Sequence, residues 1–368
     1  MKNIALLILI AIYSIGCKKE TKELSPSTTI EFKKTGSKLL TDKVEDLFFS
    51  KASFIKLKSK NNETSFGKIN QIKIVKDKIY ILDEGIKSLL VYGIDGYAIS
   101  KVGSYGQGPH EYLDIASFDV DKSGYIYTID GRLDKLFIYD DKFNYVSSSK
   151  LPFEVDQIQL LENGYYMFAL SSWNKGKCEG RKIAITDKKL NIIKSYLSYD
   201  EYTDDNYWIS NYQFIKTDEY IIYNRPIDDN IYLFSLDGSF LKSIKLDFEK
   251  QNIPNNVKKN IEQNIKEFDN YYILKNFTIV TSKFMLGTLW NNRQSKLFIF
   301  DNQTSTIYQS NKIEDSDNTL CTGFCDSTII SFIDPDYYNE HIEFNNLPKD
   351  IIEHLKNGEF VLCIRSIK

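Results

Sequence analysis

Two stretches of this 368-residue chain space their side chains as chemistry would require. The first is Gly103-Ser-Tyr-Gly106-Gln-Gly108-Pro109-His110-Glu111-Tyr112. Glycine-rich turns cradle phosphate with backbone N–H groups when a helix N-terminus follows them. Here the next segment, Ile115 to Val120, alternates apolar and polar residues as a strand does. A Gly/Pro turn between strands is therefore the favoured reading, with Glu111 and Tyr112 as its fasteners and the Glu111 carboxylate accepting backbone N–H groups. The second stretch places Asp119, Asp121, Ser123 and Asp130 at the first, third, fifth and twelfth positions of a calcium loop. In an EF-hand, helices flank such a loop and a bidentate Glu closes it. Here the flanks read as strands and Asp130 is a shorter carboxylate, so a β-hairpin turn is expected, as at Asp95-Gly96 and Asp237-Gly238.

Other chemistry-bearing residues are scattered. Trp173, Trp208 and Trp290 fall in long connections where rings could stack on sugars, although aromatic side chains between repeated sheets more often serve packing. Arg225-Pro226 and Arg293 sit in comparable connections and would either meet a ligand carboxylate or face water. His110, His341 and His354 show no ligand spacing with Cys178, Cys321, Cys325 or Cys363, and are too few for an imidazole acid–base array. Those four Cys are expected as buried thiols rather than a disulfide framework, with Cys321 and Cys325 the one pair spaced to close a small loop. No catalytic, metal or cofactor set emerges, and the expectation is of none.

The elements that position these residues repeat. Lys78-Ile-Tyr-Ile-Leu-Asp83 followed by Leu89 to Gly96 is matched by Tyr125 to Asp130 followed by Lys135 to Asp140. Tyr80 and Tyr127 are 47 residues apart, as are Tyr92 and Tyr139. Asp187 stands 47 residues after Asp140 in a third copy, and Tyr220 to Tyr223 with Ile231 to Gly238 makes a fourth. Copy five, Phe277 to Val280 with Lys296 to Asp301, arrives late. The delay coincides with Ile253, Val257, Ile261, Ile265 and Phe268, which recur every three or four residues as on one face of a helix. Copy six, Thr328 to Ile333 with Phe360 to Ile367, is interrupted by a second helical stretch at Asp350 to Lys356.

The last unit runs out of chain before its outermost strand. Ser53-Phe-Ile-Lys-Leu-Lys58 alternates with period 2 and can supply it, joining the first and last units and removing free sheet edges. An open solenoid or a pair of sandwiches would leave that strand without a role. With 25 Tyr, 23 Phe and only 7 Pro suiting many short strands, the sequence predicts an all-β chain. The fold is a six-bladed β-propeller of four-stranded antiparallel blades, closed by an N-terminal strand and carrying two short helical insertions.

Before the repeats, Lys2 precedes an apolar or weakly polar run from Ile4 to Ile15, too short to span a bilayer and suited to the core of a signal peptide. Its end, Ser14-Ile-Gly16-Cys17, resembles a bacterial lipobox, departing from it at Ser14 where Leu is usual. That resemblance implies cleavage before Cys17, lipidation of Cys17 and a firm membrane anchor. Residues 18–44 lack a sustained period and read as a tether reaching up to roughly 90 Å, with partial packing on the domain as the alternative. The expected division is a signal peptide at 1–16, a tether at 17–45 and the propeller at 46–368. Charge is balanced, 47 basic against 50 acidic residues, with no basic block to track a phosphate backbone, so nucleic acid is not an expected partner.

The segment Gly106-Gln-Gly108-Pro109-His110-Glu111-Tyr112 also resembles the Gly-x-Gly-Pro-Gly-Glu-Tyr segment of bacterial six-bladed propeller proteins with NHL-like repeats, many of them lipoproteins. The resemblance runs from the Phe54 strand to the C-terminal Phe360 strand and departs at His110, where Gly is usual. It implies a fold and an envelope location, outer membrane included, but no catalytic residue. Two functions follow as expectations. One is a non-catalytic, monomeric binding or scaffolding module with an envelope protein or glycan as ligand. The alternative is a calcium-dependent, lactonase-like hydrolase with Asp, Asn and Glu converging in the central channel.

Overall fold

A computed structural model describes residues 28–32, 36–199, 214–225, 227–259, 261–275, 277–292, 294–310, 323–325, 327–340 and 347–368. The signal peptide and Cys17 lie outside these residues, as do Trp208, Pro226, Arg293, Cys321 and His341.

Six sheets form the blades of a propeller, as the repeat predicts. Blade 1 orders Gln71–Val75, Lys78–Asp83, Ser88–Gly93 and Ala98–Val102 from the axis outward. Blade 2 consists of Ser117–Val120, Ile126–Asp130, Lys135–Tyr139 and Tyr145–Lys150, and blade 3 of Val155–Leu160, Tyr166–Leu170, Arg181–Thr186 and Ile192–Ser198. Blade 4 is Ile215–Lys216, Ile221–Asn224, Asn230–Phe234 and Phe240–Asp247. The second and third strands lie between neighbouring sheets and are buried on both faces. Ile79, Tyr80, Ile81 and Leu82, for example, form a continuous apolar run, all at most 1% exposed. Fourth strands such as Tyr145–Lys150 form the half-wet rim.

Blade 6 joins Gly323–Cys325, Thr328–Ile333 and Val361–Ser366 from the C-terminus to Ser53–Lys56 from the N-terminus, with Phe54 opposite Cys363. The closing strand crosses tightly onto blade 1. Lys58 donates its N–H to the Gly96 carbonyl at 2.8 Å. Gly96 has φ +86°, and a Cβ there would lie 2.0 Å from the Lys56 carbonyl oxygen, so only glycine fits this seam.

Three expectations change. Phe277–Val280 stands in copy five where the second strand of a blade is expected, but Ile279–Val280 shares the inner edge with Ile273–Leu274, both pairing with Phe284–Asn291, the second strand. The repeat phrase is blurred there because Phe284–Asn291 lacks the closing aromatic-Asp signal. The insertion at 253–268 is a broken series, not one helix: Asn255–Lys258, Ile261–Asn264 and the 3-10 turn Ile265–Asn270. Ile253, Val257, Ile261 and Phe268 bury together, whereas Ile265 is 49% exposed. Asn264 Nδ2 donates to the Val257 carbonyl at 3.2 Å, a side-chain bond that competes with the helical ladder. The second insertion forms as a helix at Lys349–Lys356.

The tether is the third: over the described residues its alternative, partial packing on the domain, is what forms. From Thr28 onward the chain is not free: Thr28–Glu31 adds in parallel to the rim strand Phe240–Asp247 of blade 4. Ser37–Leu39 then adds to Thr306–Gln309, the rim strand of blade 5. A helix at Asp42–Phe48 follows, held by Arg365 Nη1 on Glu45 Oε2 at 2.7 Å, and leads into the closing strand. Segments of three and four residues are too short to show a period, which is why composition alone read them as a tether.

Candidate functional site

The innermost strands line the axial channel, where the hydrolase reading requires converging ligands. Several of their polar side chains, Gln71, Ser117 and Gln157 among them, are instead engaged with the next blade. Gln71 donates through Nε2 to the Phe118 carbonyl at 2.9 Å, and its Oε1 accepts the Phe118 N–H at 3.1 Å. Ser117 Oγ accepts the Ile158 N–H at 3.3 Å, and Gln157 Oε1 accepts the Phe214 N–H at 3.0 Å. Blades 1 to 4 are thereby stitched in sequence.

Asp119 is the centre of this stitching. Its carboxylate takes Lys73 Nζ of blade 1 at 2.5 Å, its neighbour's Val120 N–H at 2.8 Å, and both Gln159 Nε2 and the Leu160 N–H of blade 3 at 2.6 Å. Four donors satisfy one carboxylate that is 3% exposed, joining three blades. Lys216 of blade 4 lies near this pair. Burial pushes its ammonium pKa down, opposed by the Asp119 charge and reinforced by Lys73.

Asp119, Asp121 and Asp130 do not converge on a calcium-loop geometry. Asp121 caps the hairpin turn, its Oδ1 accepting the Ser123 and Tyr125 N–H groups at 2.8 and 3.0 Å. Asp130 accepts the N–H groups of Leu113, Asp114, Arg132 and Leu133, clasping the turn before its blade and the turn after its own strand. Asp83 does the same in blade 1, for Gly67, Lys68, Gly85 and Ile86. Asp95-Gly96 and Asp237-Gly238 share the Asx-turn chemistry of Asp121 but join third to fourth strands, whereas Asp121 joins a first to a second. Among the described residues, no group of three or more His, Cys, Asp or Glu is arranged to hold a metal ion.

The glycine-rich turn closes on itself. Glu111 Oε2 accepts the Gly108 N–H at 2.7 Å, and the Gly106 N–H bonds the Tyr112 carbonyl at 3.0 Å. A Cβ at Gly106 would sit 2.0 Å from Glu111 Oε2, so the glycine leaves room for the carboxylate rather than for a phosphate. Pro109 lies at the apex between Gly108 and His110. Tyr112 is 1% exposed, and burial pushes its phenol up to about 12. His110 stays out of the left-handed region and lays its ring on Tyr145, centroids 4.1 Å apart, which accommodates His where Gly is usual.

The remaining candidates divide. Trp173 is 50% exposed, whereas Trp290 packs with the Ile253 cluster. His354 is buried, with Nε2 facing the Leu57 and Phe360 carbonyls at 3.0 and 3.2 Å and Nδ1 facing Glu359 at 3.1 Å, so it ties the closing strand. Cys178 is buried and Cys325 Sγ donates to the Ile74 carbonyl at 2.7 Å. An open depression of about 400 Å³ beside blade 1 is lined by Asn62, Glu63, Ser65, Phe66, Ser88 and Lys101.

A cluster between blades 3 and 4 was only partly visible in the sequence. Lys182 and Asp228, both largely buried, face each other at 3.4 Å. Asp228 Oδ1 also accepts the Asn230 N–H at 3.0 Å and its Oδ2 the Tyr232 hydroxyl at 3.0 Å. Burial opposes its ionisation, but Lys182 and these bonds hold the carboxyl below its usual range. Arg225 lies over the Tyr199 ring, its Cζ 4.6 Å from the centroid. A usable signal existed: Lys73 and Asp119, like Lys182 and Asp228, are 46 residues apart. One period in sequence is one blade in space.

The chain matches the family described as domain of unknown function DUF4934 over residues 27–359. No curated protein matches. Among solved structures, a protein of Bacteroides fragilis assigned as exported (BF0058) is similar at a TM-score of 0.72 and 20% identity, covering 93% of this chain and 100% of that one. A member of the DUF4221 family from Bacteroides vulgatus has a TM-score of 0.53 at 8% identity, covering 87% and 97%. Virginiamycin B lyase of Staphylococcus aureus, at a TM-score of 0.42 and 11% identity over 85% and 98%, is too distant to carry an argument. With nine-tenths of its length matched, this chain belongs to the DUF4934 family.

Proposed function

We propose that this protein is a lipid-anchored propeller displayed at the cell envelope, which binds its ligand without transforming it. The carrying observation is the use of the channel's polar side chains: Gln71, Ser117, Asp119 and Gln157 are engaged in joining blades. A lactonase-like hydrolase needs such groups free to hold a metal and a water. Rigid inner strands with varied connections at the rim are what a binding module requires.

The envelope reading rests on the Cys17 lipobox resemblance and on the exported assignment of the B. fragilis protein. Among the described residues no helix is long and apolar enough to cross a membrane, so attachment to the outer membrane would fall to the acylated Cys17. The protein acts as a monomer with an envelope protein or glycan as partner. Two measurements test this. Cys17→Ala should move the protein from the membrane to the soluble fraction and abolish acyl labelling; unchanged retention without label refutes the anchor. Purified protein should hydrolyse neither lactones nor esters in added calcium, whereas chelator-sensitive turnover would replace binding with catalysis.

A further inference from the structure

We propose that the face where blades 3 and 4 adjoin is a binding site for the carboxylate of an acidic saccharide, read by Arg225 with Trp173 as the sugar platform. The proposal rests on the binding reading above and names its site and ligand class.

Arg225 directly follows the second strand of blade 4, Ile221–Asn224. Only 9% of it is exposed, yet among the described residues its guanidinium makes no hydrogen bond or ion pair, and Nε is fully buried without a partner. A buried, unpaired cation is costly, and proteins bury charges with partners. Its neighbours do not supply one. Lys182 and Asp228 are committed to each other, and Asp228 is further occupied by Asn230 and Tyr232. Asp156, whose charge also reaches Tyr223, has a contact of its own. Tyr223 lies beside Arg225 with a second buried and unpartnered polar atom, its hydroxyl.

The Tyr199 ring holds one side of the guanidinium without using its N–H groups. They stay free to pair with a planar carboxylate, the partner that a guanidinium fork matches. Tyr199 is itself held, donating its hydroxyl to the Leu170 carbonyl at 2.6 Å. The platform begins at the same place: Leu170 ends the second strand of blade 3, and the connection that follows carries Trp173, 50% exposed. In an antiparallel blade the second and fourth strands finish at the same end, so Trp173, Tyr199 and Arg225, which follow such strands, lie at one end of blades 3 and 4. A guanidinium fork and an exposed indole at the same end of neighbouring blades suit a sugar acid, whose ring stacks while its carboxylate pairs. A carboxylate on a peptide would use the fork but not the indole.

The test is titration calorimetry of the folded domain with an oligogalacturonide, its methyl-esterified counterpart and a poly-glutamate peptide. Saturable binding of the oligogalacturonide is expected, weakened about 10–100-fold by esterification or by Arg225→Met, the value of a charge-assisted hydrogen bond. Arg225→Lys should fall between, keeping charge but losing the fork, and Trp173→Ala should weaken the saccharide alone. No binding of the oligogalacturonide overturns the proposal, as does equal binding by Arg225→Met or tighter binding of poly-glutamate. Binding of a neutral glycan or an envelope protein elsewhere would refute this site while leaving the binding reading intact.

Discussion

Asp119 and Arg225 are both charged and nearly buried, and they differ in what surrounds them. The carboxylate meets four donors; the guanidinium meets one aromatic face. A satisfied buried charge reads as structure and an unsatisfied one as a site. Asp229, next to Asp228, shows a third condition. Burial pushes its carboxyl up to about 6, and the Asp228 charge adds to this, while Lys258 at 3.9 Å opposes it. Its folded value exceeds the unfolded one, so its contribution is fully present below about pH 4 and is lost as pH rises through about 6. Asp229→Asn should therefore be more stable than the parent at pH 7.5, by about 1–3 kcal/mol, with no difference at pH 4. Chemical denaturation at the two pH values checks this; a variant less stable at pH 7.5 would mean that the Lys258 pair dominates. At this scale the sequence was legible where partners are local: Glu111 fastens a turn three residues away. Asp119 was read beside Asp121 because its real partners, Lys73 and Gln159, are 46 and 40 residues distant.

Elements followed the same division. Strands with a long apolar run and an Asp at the end, such as Lys78–Asp83 and Ile126–Asp130, were legible because each is buried on both faces and its Asp clasps two turns. The rim additions Thr28–Glu31 and Ser37–Leu39 were not, since they offer few side chains to the core. Ile30 and Leu40, at 5% and 7% exposure, are the main ones. Parallel addition also covers the rim edges of blades 4 and 5, edges that otherwise invite pairing with another chain. Deleting residues 28–40 should speed amide exchange in Phe240–Asp247 and Thr306–Gln309 and promote self-association, leaving blades 1 to 3 protected. Exchange unchanged in those two strands would show that the additions do not hold them.

The whole molecule was the most legible scale, because a period kept across three units, with a spare strand at one end and a missing strand at the other, admits few closed solutions. Six blades, the closure by Ser53–Lys56 and a second insertion at Lys349–Lys356 all follow from it. What the ring does was less legible, because a site between blades draws on residues about one period apart. The division to test is between a structural channel and a functional face where blades 3 and 4 adjoin. Equilibrium unfolding of Asp119→Asn and Arg225→Met, side by side at pH 7.5, tests it most directly. Asp119→Asn is expected to lose about 3–5 kcal/mol, since a buried ion pair is broken, while Arg225→Met should hold or gain stability, since an unpaired buried charge is removed. An Arg225→Met variant that loses as much as Asp119→Asn, or an Asp119→Asn variant that loses nothing, would contradict it.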